Sequence, residues 1–150
     1  MRWEVTDRFN GFIAPLLTTI QNVVVIGGGS QEPELEILKK QTDIKIHFLG
    51  IKSEQGIANF AFLDLNKPIA IVTQQFDLLL CSQVLEHLWD LKQAITNLVS
   101  LTNPGGYNWI AYPASNFAHG SPDYFSAGYQ SSLLVKLLNQ HGVEILSQGI

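Results

Sequence analysis

The sequence lacks the features that mark several large classes of protein. It has no run of lysine or arginine, and its 9 basic and 13 acidic residues give a net charge of −4, so no surface suited to nucleic-acid phosphates is expected. It has no long apolar run, because Pro15 breaks the stretch 11–20, and we expect neither a signal peptide nor a membrane-spanning helix. Its single cysteine, Cys81, can form no internal disulfide. These absences predict a soluble, cytoplasmic protein that binds neither nucleic acid nor membrane.

Local patterns in the remaining sequence predict the elements of one domain that covers residues 1–150. Six short runs rich in β-branched or aromatic residues predict strands, at 22–27, 44–50, 58–64, 76–82, 107–113 and 143–149. The first and fourth runs are almost continuously apolar, which is typical of strands buried on both faces of a parallel sheet. Residues 1–21 form a helical lead-in, and 22–149 form the core. We therefore predict an α/β fold with a doubly wound, mostly parallel sheet of about six strands.

Helix signals lie between these strands. Apolar residues recur at helical spacing within 88–101, and the Asn-Pro-Gly-Gly sequence at 103–106 ends that helix. A second stripe within 131–142 has Ser131 or Ser132 as its predicted cap and Gly142 as its stop. Two links are irregular: residues 51–57 are too few for a crossover helix, and an aromatic-rich loop runs from 113 to 129.

A glycine turn follows the first predicted strand, at the edge where open α/β sheets bind ligands. The turn, Gly27 to Gly29, has neither the G-x-G-x-x-G spacing of a dinucleotide site nor the Gly-Lys pair of a phosphate-binding loop. Acids at Glu32, Glu34 and Glu36 would repel a diphosphate. A cationic cofactor without phosphate, such as S-adenosylmethionine, fits these residues better, and nicotinamide dinucleotides are disfavoured.

Three stretches together resemble the class I S-adenosylmethionine-dependent methyltransferases. They are "VVVIGGGSQEPEL", "FDLLLCSQVLEHLWDL" and "LTNPGGYNWIAYP", and the resemblance covers residues 22–148. It implies a methyl transfer to a hydroxyl or amine, with S-adenosylmethionine as cofactor and S-adenosylhomocysteine as product. The block "HGSPDYFSAGYQ" is similar to one in methyltransferase-domain proteins of bacterial surface-glycan gene clusters, which implies a small-molecule or glycan acceptor.

The resemblance also implies roles for particular residues. The glycine turn would approach the methionine moiety, and Gly50 stands where the family usually places the acid that binds the ribose. Asp64 and Leu65 would lie by the adenine, and Cys81 and Ser82 would line the reaction pocket. Independently of the resemblance, His87 or His119 is a candidate general base, because histidine suits proton removal from a hydroxyl near neutral pH.

Some branches of the family bind a divalent metal through a Glu-x-x-Glu-His helix start and a later histidine. Gln83 replaces the first glutamate here and leaves only Glu86, His87 and His119, so no metal site is expected.

The sequence departs from the family pattern at several positions. The first strand has Val25 in place of the usual acid, Gln31 replaces the third glycine, and Gly50 replaces the ribose acid. The usual seventh strand has no counterpart before Ile150, so either the sixth strand pairs with the fifth or a partner chain fills the gap, and an exposed edge there favours a homodimer. The alternative function is a non-catalytic binding or assembly module that has lost cofactor binding.

Overall fold

The computed structural model describes residues 2–52, 57–113 and 128–149. Five parallel strands form one sheet in the order β3-β2-β1-β4-β5. The strands are β1 (Asn22–Ile26), β2 (Lys45–Gly50), β3 (Phe60–Phe62), β4 (Phe76–Ser82) and β5 (Thr102–Ala111). The order reverses at β1, which lies between β2 and β4, and this confirms the predicted doubly wound α/β fold.

Helices cover the sheet on both faces. They are α1 (Arg2–Ile13), α2 (Leu35–Lys39), α3 (Leu91–Ser100) and α4 (Ser131–Asn139), with short 3-10 helices at Ala14–Thr19 and Leu85–His87. One core cluster joins Val24, Leu79 and Cys81 to residues of α3 and α4. The other joins Val23, Val25 and Leu80 to residues of α1 and α2. Alternate residues of β1 and β4 therefore enter opposite cores, which is why both strands are apolar throughout.

One predicted element is wrong, and one predicted helix is present but begins later than expected. Residues 143–149, predicted as a sixth strand, pair with no strand in the described part of the chain, which leaves five strands. The helix predicted to begin near Leu88 begins at Leu91, because Asp90 caps it by accepting a hydrogen bond from the Gln93 backbone N–H at 3.0 Å.

Details of the remaining predictions also differ. The last helix has Gln130 as its N-cap, without a side-chain hydrogen bond, in place of either predicted serine. The glycines at 105 and 106 lie within β5, where the register against β4 shifts between Phe76 and Leu78 and so accommodates the extra residues. Part of the short link after β2, and the loop at 114–127 with His119, lie outside the described residues.

Candidate functional site

The glycine turn lies at the carboxyl end of β1, beside the point where the strand order reverses. Gly27 has φ +70°, a left-handed conformation that glycine adopts without strain, and a Cβ added there would lie 2.8 Å from Val84 Cγ2. Its N–H donates to the Leu49 carbonyl at 2.8 Å, which fixes the turn to β2. A larger residue at 27 would meet both backbone strain and a side-chain clash, so this position requires glycine.

Gly50 ends the neighbouring strand and lies directly against the turn. A Cβ added at Gly50 would be 3.4 Å from Gly27 Cα, an ordinary van der Waals distance, and its φ is not in the left-handed region. A side chain can therefore be built at 50 without rearranging the backbone. The ends of β1 and β2 thus meet where the family resemblance places the cofactor's methionine and ribose.

A small recess, with room for about one water-sized group, opens beside the turn on the face of the sheet that carries α1 and α2. Residues from β1, β4, β5 and the segment after the turn line it, among them Val25, Gly28, Glu32, Glu34, Ser82 and Trp109. We call this space the recess throughout. Ser82, predicted from the sequence to line the reaction pocket, lines this recess.

The recess contains two buried polar atoms without a hydrogen-bond partner in the described part of the chain. These are Glu34 Oε2 and Trp109 Nε1, and Glu34 is only 2% exposed. The indole of Trp109 is held by two phenyl rings of α1, since its centroid lies 5.3 Å from that of Phe9 in an edge contact and 5.8 Å from that of Phe12 in a stacked one. The sequence analysis named Glu34 only as one of three acids that disfavour a diphosphate, and it did not single out Trp109.

Cys81 does not face the recess. Its thiol is fully buried in the core cluster on the opposite face, because neighbouring residues of a strand point to opposite sides. Burial, and then the negative charge of Glu86, raise the pKa of Cys81 to about 12. The thiol therefore stays protonated and is no nucleophile at neutral pH.

The loop after β3, which carries the predicted adenine residues, is bound tightly to α3. We call residues 64–67 the clamped loop. The Asn97 side-chain amide donates to the carbonyls of Leu65 at 3.0 Å and Lys67 at 2.9 Å, and the Asn66 side-chain oxygen accepts from the N–H of Trp89 at 2.9 Å. Asn97 was not singled out from the sequence, although it lies within the buried stripe of α3.

Within the clamped loop, the two predicted residues are already engaged. Asp64 accepts a hydrogen bond from the N–H of Asn66 at 3.0 Å, and its other oxygen is 4.0 Å from Lys67 Nζ. The Leu65 side chain is 3% exposed and belongs to the core. A ligand at this loop would thus meet the backbone and the partly exposed Asp64 carboxylate, not the leucine side chain.

Glu86 and His87 follow β4 in the second 3-10 helix. Glu86 is fully buried, while the His87 side chain is 27% exposed, and His87 Nε2 lies 3.9 Å from Glu86 Oε1. In the parts of the chain that the structure describes, no cluster of three or more His, Cys, Asp or Glu is arranged to hold a metal ion. Nor is any described helix long and apolar enough to cross a membrane.

A parallel sheet with a glycine turn and a recess at its switch point is typical of a Rossmann-like domain. The family model of the methyltransferase domain matches residues 36–110, which are half of the 150 residues. The matched region begins shortly after the glycine turn. The chain therefore belongs to the methyltransferase-domain family, which confirms the resemblance seen in the sequence. Members of this family use S-adenosylmethionine.

Solved structures of methyltransferases share the fold. An O-methyltransferase family protein from Burkholderia thailandensis matches with TM-score 0.66 and 12% identity, over 99% of this chain but 56% of its own. The N-methyltransferase NodS from Bradyrhizobium japonicum WM9, in complex with S-adenosylhomocysteine, matches with TM-score 0.57 and 16% identity, over 89% of this chain and 72% of its own.

A third structure is the N-terminal domain of EvdMO1 in the presence of S-adenosylhomocysteine and D-fucose, with TM-score 0.56 and 15% identity, over 90% of this chain and 71% of that one. The chain thus spans little more than half of the Burkholderia protein. None of the curated proteins matches this sequence.

Proposed function

We propose that this domain binds S-adenosylmethionine at the glycine turn and transfers its methyl group to a hydroxyl or amine of a small molecule or glycan. The observation that carries the proposal is the placement of Gly27, in a left-handed turn at the carboxyl end of β1 and in contact with the end of β2. In open α/β sheets this switch point is where ligands bind. Membership of the methyltransferase family supplies the identity of the cofactor.

The proposed cofactor contacts follow the edge of the sheet. The backbone of Gly27, Gly28 and Gly29 would approach the methionine moiety, and the turn's contact with Gly50 would bring the ribose to the end of β2. The clamped loop would offer the adenine a preorganised surface, because Asn97 already fixes the carbonyls of Leu65 and Lys67. Ser82, at the end of β4, would face the reacting end of the cofactor.

The cofactor, when bound, supplies an electrophilic methyl group on a sulfonium. The protein's own task is then mainly to hold the acceptor in line with that methyl group, since such a displacement needs positioning and no covalent intermediate. The partly exposed His87 is our candidate for removing the proton from a hydroxyl acceptor, because imidazole is the commonest general base in enzymes. His119 is the second candidate and belongs to the undescribed loop.

The acceptor class is supported by the aromatic-rich sequence at 117–129, of which only Gly128 and Tyr129 are described. Tyr129 donates its hydroxyl to the Leu85 carbonyl at 3.0 Å, so the end of this segment is fixed next to the 3-10 helix that carries His87. Aromatic side chains near a pocket commonly bind sugar rings and other small molecules. D-fucose was present with the N-terminal domain of EvdMO1, which has a similar fold.

The alternative function is a binding or assembly module that no longer binds the cofactor. The specific observation behind it is Gly50, which offers no carboxylate to the ribose hydroxyls. Hydrogen bonds to a charged group contribute about 1.5–3 kcal/mol, so its loss weakens binding by about tenfold or more.

Calorimetric titration with S-adenosylhomocysteine, S-adenosylmethionine and NAD distinguishes these functions. We expect the first two to bind and NAD not to bind. Gly50→Asp should tighten the binding of S-adenosylhomocysteine about tenfold, because the new carboxylate can accept hydrogen bonds from the ribose and the backbone can accommodate a side chain at 50. The matched control is Gly11→Asp, the same substitution at an exposed position of α1 with open space around it.

Each negative outcome has a separate meaning in this experiment. If neither adenosyl compound binds to the wild-type domain or to Gly50→Asp, the non-catalytic module is the better description. If S-adenosylhomocysteine binds but Gly50→Asp does not change its affinity, the ribose lies elsewhere. Binding of NAD alone would overturn the proposal.

A further inference from the structure

Glu34 is the least explained charged residue in the described part of the chain. It is 2% exposed, and its Oε2 has no hydrogen-bond partner among the described residues. Removing a carboxylate from water without a compensating partner destabilises a fold strongly. The exposed Glu36, two residues later on the same helix, incurs no such cost.

No ion pair joins Glu34 to a cation within the described parts of the chain. The basic residue in the last turn of α2, Lys39, donates from Nζ to the Ser30 carbonyl at 2.5 Å. The other buried polar atom of the recess without a partner, Trp109 Nε1, is a neutral donor. The recess thus holds a buried carboxyl oxygen, Glu34 Oε2, without a partner among the described residues.

The composition of the recess selects the charge of its ligand. Glu32 lines the same recess as Glu34, and its Oε1 lies close enough to Gly28 that a Cβ there would be 2.9 Å away. Two carboxylates with a serine hydroxyl and an indole N–H disfavour an anion. A cation that carries its own N–H donors, an ammonium group, is the ligand that the carboxylate and hydroxyl oxygens bind best, whereas the indole N–H of Trp109 can only donate.

The position of the recess indicates which ammonium group. Val25, which replaces the acid that the family usually has in β1, lines the recess together with Glu34. Gly28 of the turn also lines it, so the recess adjoins the backbone that would hold the methionine moiety. Glu34, the N-cap residue of α2, thus places a carboxyl group in the same recess that position 25 lines.

We propose that Glu34 binds the α-ammonium group of the amino-acid end of S-adenosylmethionine. The inference rests on the proposed function, because it assumes that the adenosyl cofactor occupies the glycine turn. Trp109 Nε1 and Ser82 complete the polar lining, and the rings of Phe9 and Phe12 hold the indole in place. The ligand removes the cost of burying Glu34 by supplying the N–H donors that its Oε2 lacks.

The test compares S-adenosylhomocysteine with its desamino analogue, which lacks only the α-amino group, by calorimetric titration of the 150-residue chain. We expect the wild type to bind S-adenosylhomocysteine at least about tenfold more tightly than the analogue. Glu34→Gln should abolish this preference by weakening the binding of S-adenosylhomocysteine alone. The matched control Glu36→Gln should retain it.

Several results would overturn the inference. Equal wild-type affinities for the two ligands would do so without any variant, even if Glu34→Gln failed to fold. An equal loss of affinity for both ligands in Glu34→Gln would show that Glu34 acts through the structure of the site. A wild type that binds neither ligand overturns the proposed function as well, whereas tight binding that is insensitive to Glu34 overturns this inference alone.

Discussion

The recess and the clamped loop lie at the carboxyl ends of strands in the same sheet, yet they differ in hydrogen bonding. The polar groups of the clamped loop have partners, whereas two buried polar atoms of the recess have none among the described residues. In the clamped loop, Asn97 donates to two backbone carbonyls, and Asn66 accepts from the start of α3. In the recess, Glu34 Oε2 and Trp109 Nε1 are buried without a partner among the described residues. Because a buried polar group without a partner costs stability, the two regions contribute to the fold with opposite signs.

Because of this difference, we expect the two regions to have different roles at the carboxyl edge of the sheet. A satisfied network stabilises the fold and presents a rigid surface, while an unsatisfied one makes the fold less stable and leaves acceptors for a ligand. The clamped loop is therefore expected to be a preformed wall, and the recess a place where a ligand adds stability. The comparison can be tested by changing each region separately.

The largest effect is expected in the clamped loop. Asn97→Ala removes the donor to the Leu65 and Lys67 carbonyls and should lower the free energy of unfolding by about 3 kcal/mol, because each carbonyl left unsatisfied costs about 1–3 kcal/mol. Urea denaturation measures this change. Gln93→Ala, which loses a single contact to Asn97 on a partly exposed side chain, should cost less than about 1 kcal/mol. Similar losses of unfolding free energy in Asn97→Ala and Gln93→Ala would contradict the conclusion that Asn97 holds the clamped loop in place.

The next prediction pairs one acid from each region. Glu34→Gln should raise the free energy of unfolding by about 1 kcal/mol in the absence of ligand, since it removes a buried charge without a partner. Asp64→Ala should lower it by about 1 kcal/mol, because Asp64 accepts the N–H of Asn66.

Thermal and urea unfolding of Glu34→Gln and Asp64→Ala show whether the two substitutions change the free energy of unfolding in opposite directions. Glu36→Gln, at an exposed position of α2, should leave stability unchanged. A destabilised Glu34→Gln would mean that the glutamate is structural, and the contrast between the regions would fail.

The smallest effect concerns a satisfied carboxylate at the opposite end of the sheet. Burial alone would raise the pKa of Asp77, but hydrogen bonds from the backbone N–H groups of Asn22 and Gln21 and from the Asn103 side chain outweigh it and lower the pKa below its ordinary value of 3.8. A lowered pKa in the folded state means that the stabilisation is present above the unfolded value and is lost as the pH falls through the folded one.

Melting temperatures between about pH 6 and about pH 2.5 test this sign. Asp77→Asn should flatten the decline at the acid end, whereas Asp43→Asn, at an exposed position after α2, should not. An unchanged slope in Asp77→Asn would show that these hydrogen bonds do not favour the charged form. The result gives a reference for how a partnered carboxylate behaves in this fold, against which Glu34 can be compared.

Local patterns were sufficient to predict much of the fold. The continuous apolar runs of β1 and β4 predicted strands buried on both faces, and the order of the three family motifs predicted the methyltransferase family. The predicted sixth strand at 143–149 was wrong because its short β-like pattern does not specify a pairing partner, and pairing depends on the rest of the sheet. The roles predicted for individual cofactor residues stay predictions.

The sequence by itself determined which residues could form strands and helices, because the period of apolar residues is a local property of the chain. It also placed a run of glycines directly after β1, whereas the left-handed backbone of Gly27 and its contact with Val84 are features of the tertiary structure. Only the tertiary structure decided that Cys81 faces away from the recess and that Glu34 lies within it beside Trp109. The physical reason is that burial and hydrogen-bond partners depend on residues far apart in the chain, and no local pattern around Glu34 encodes what covers it.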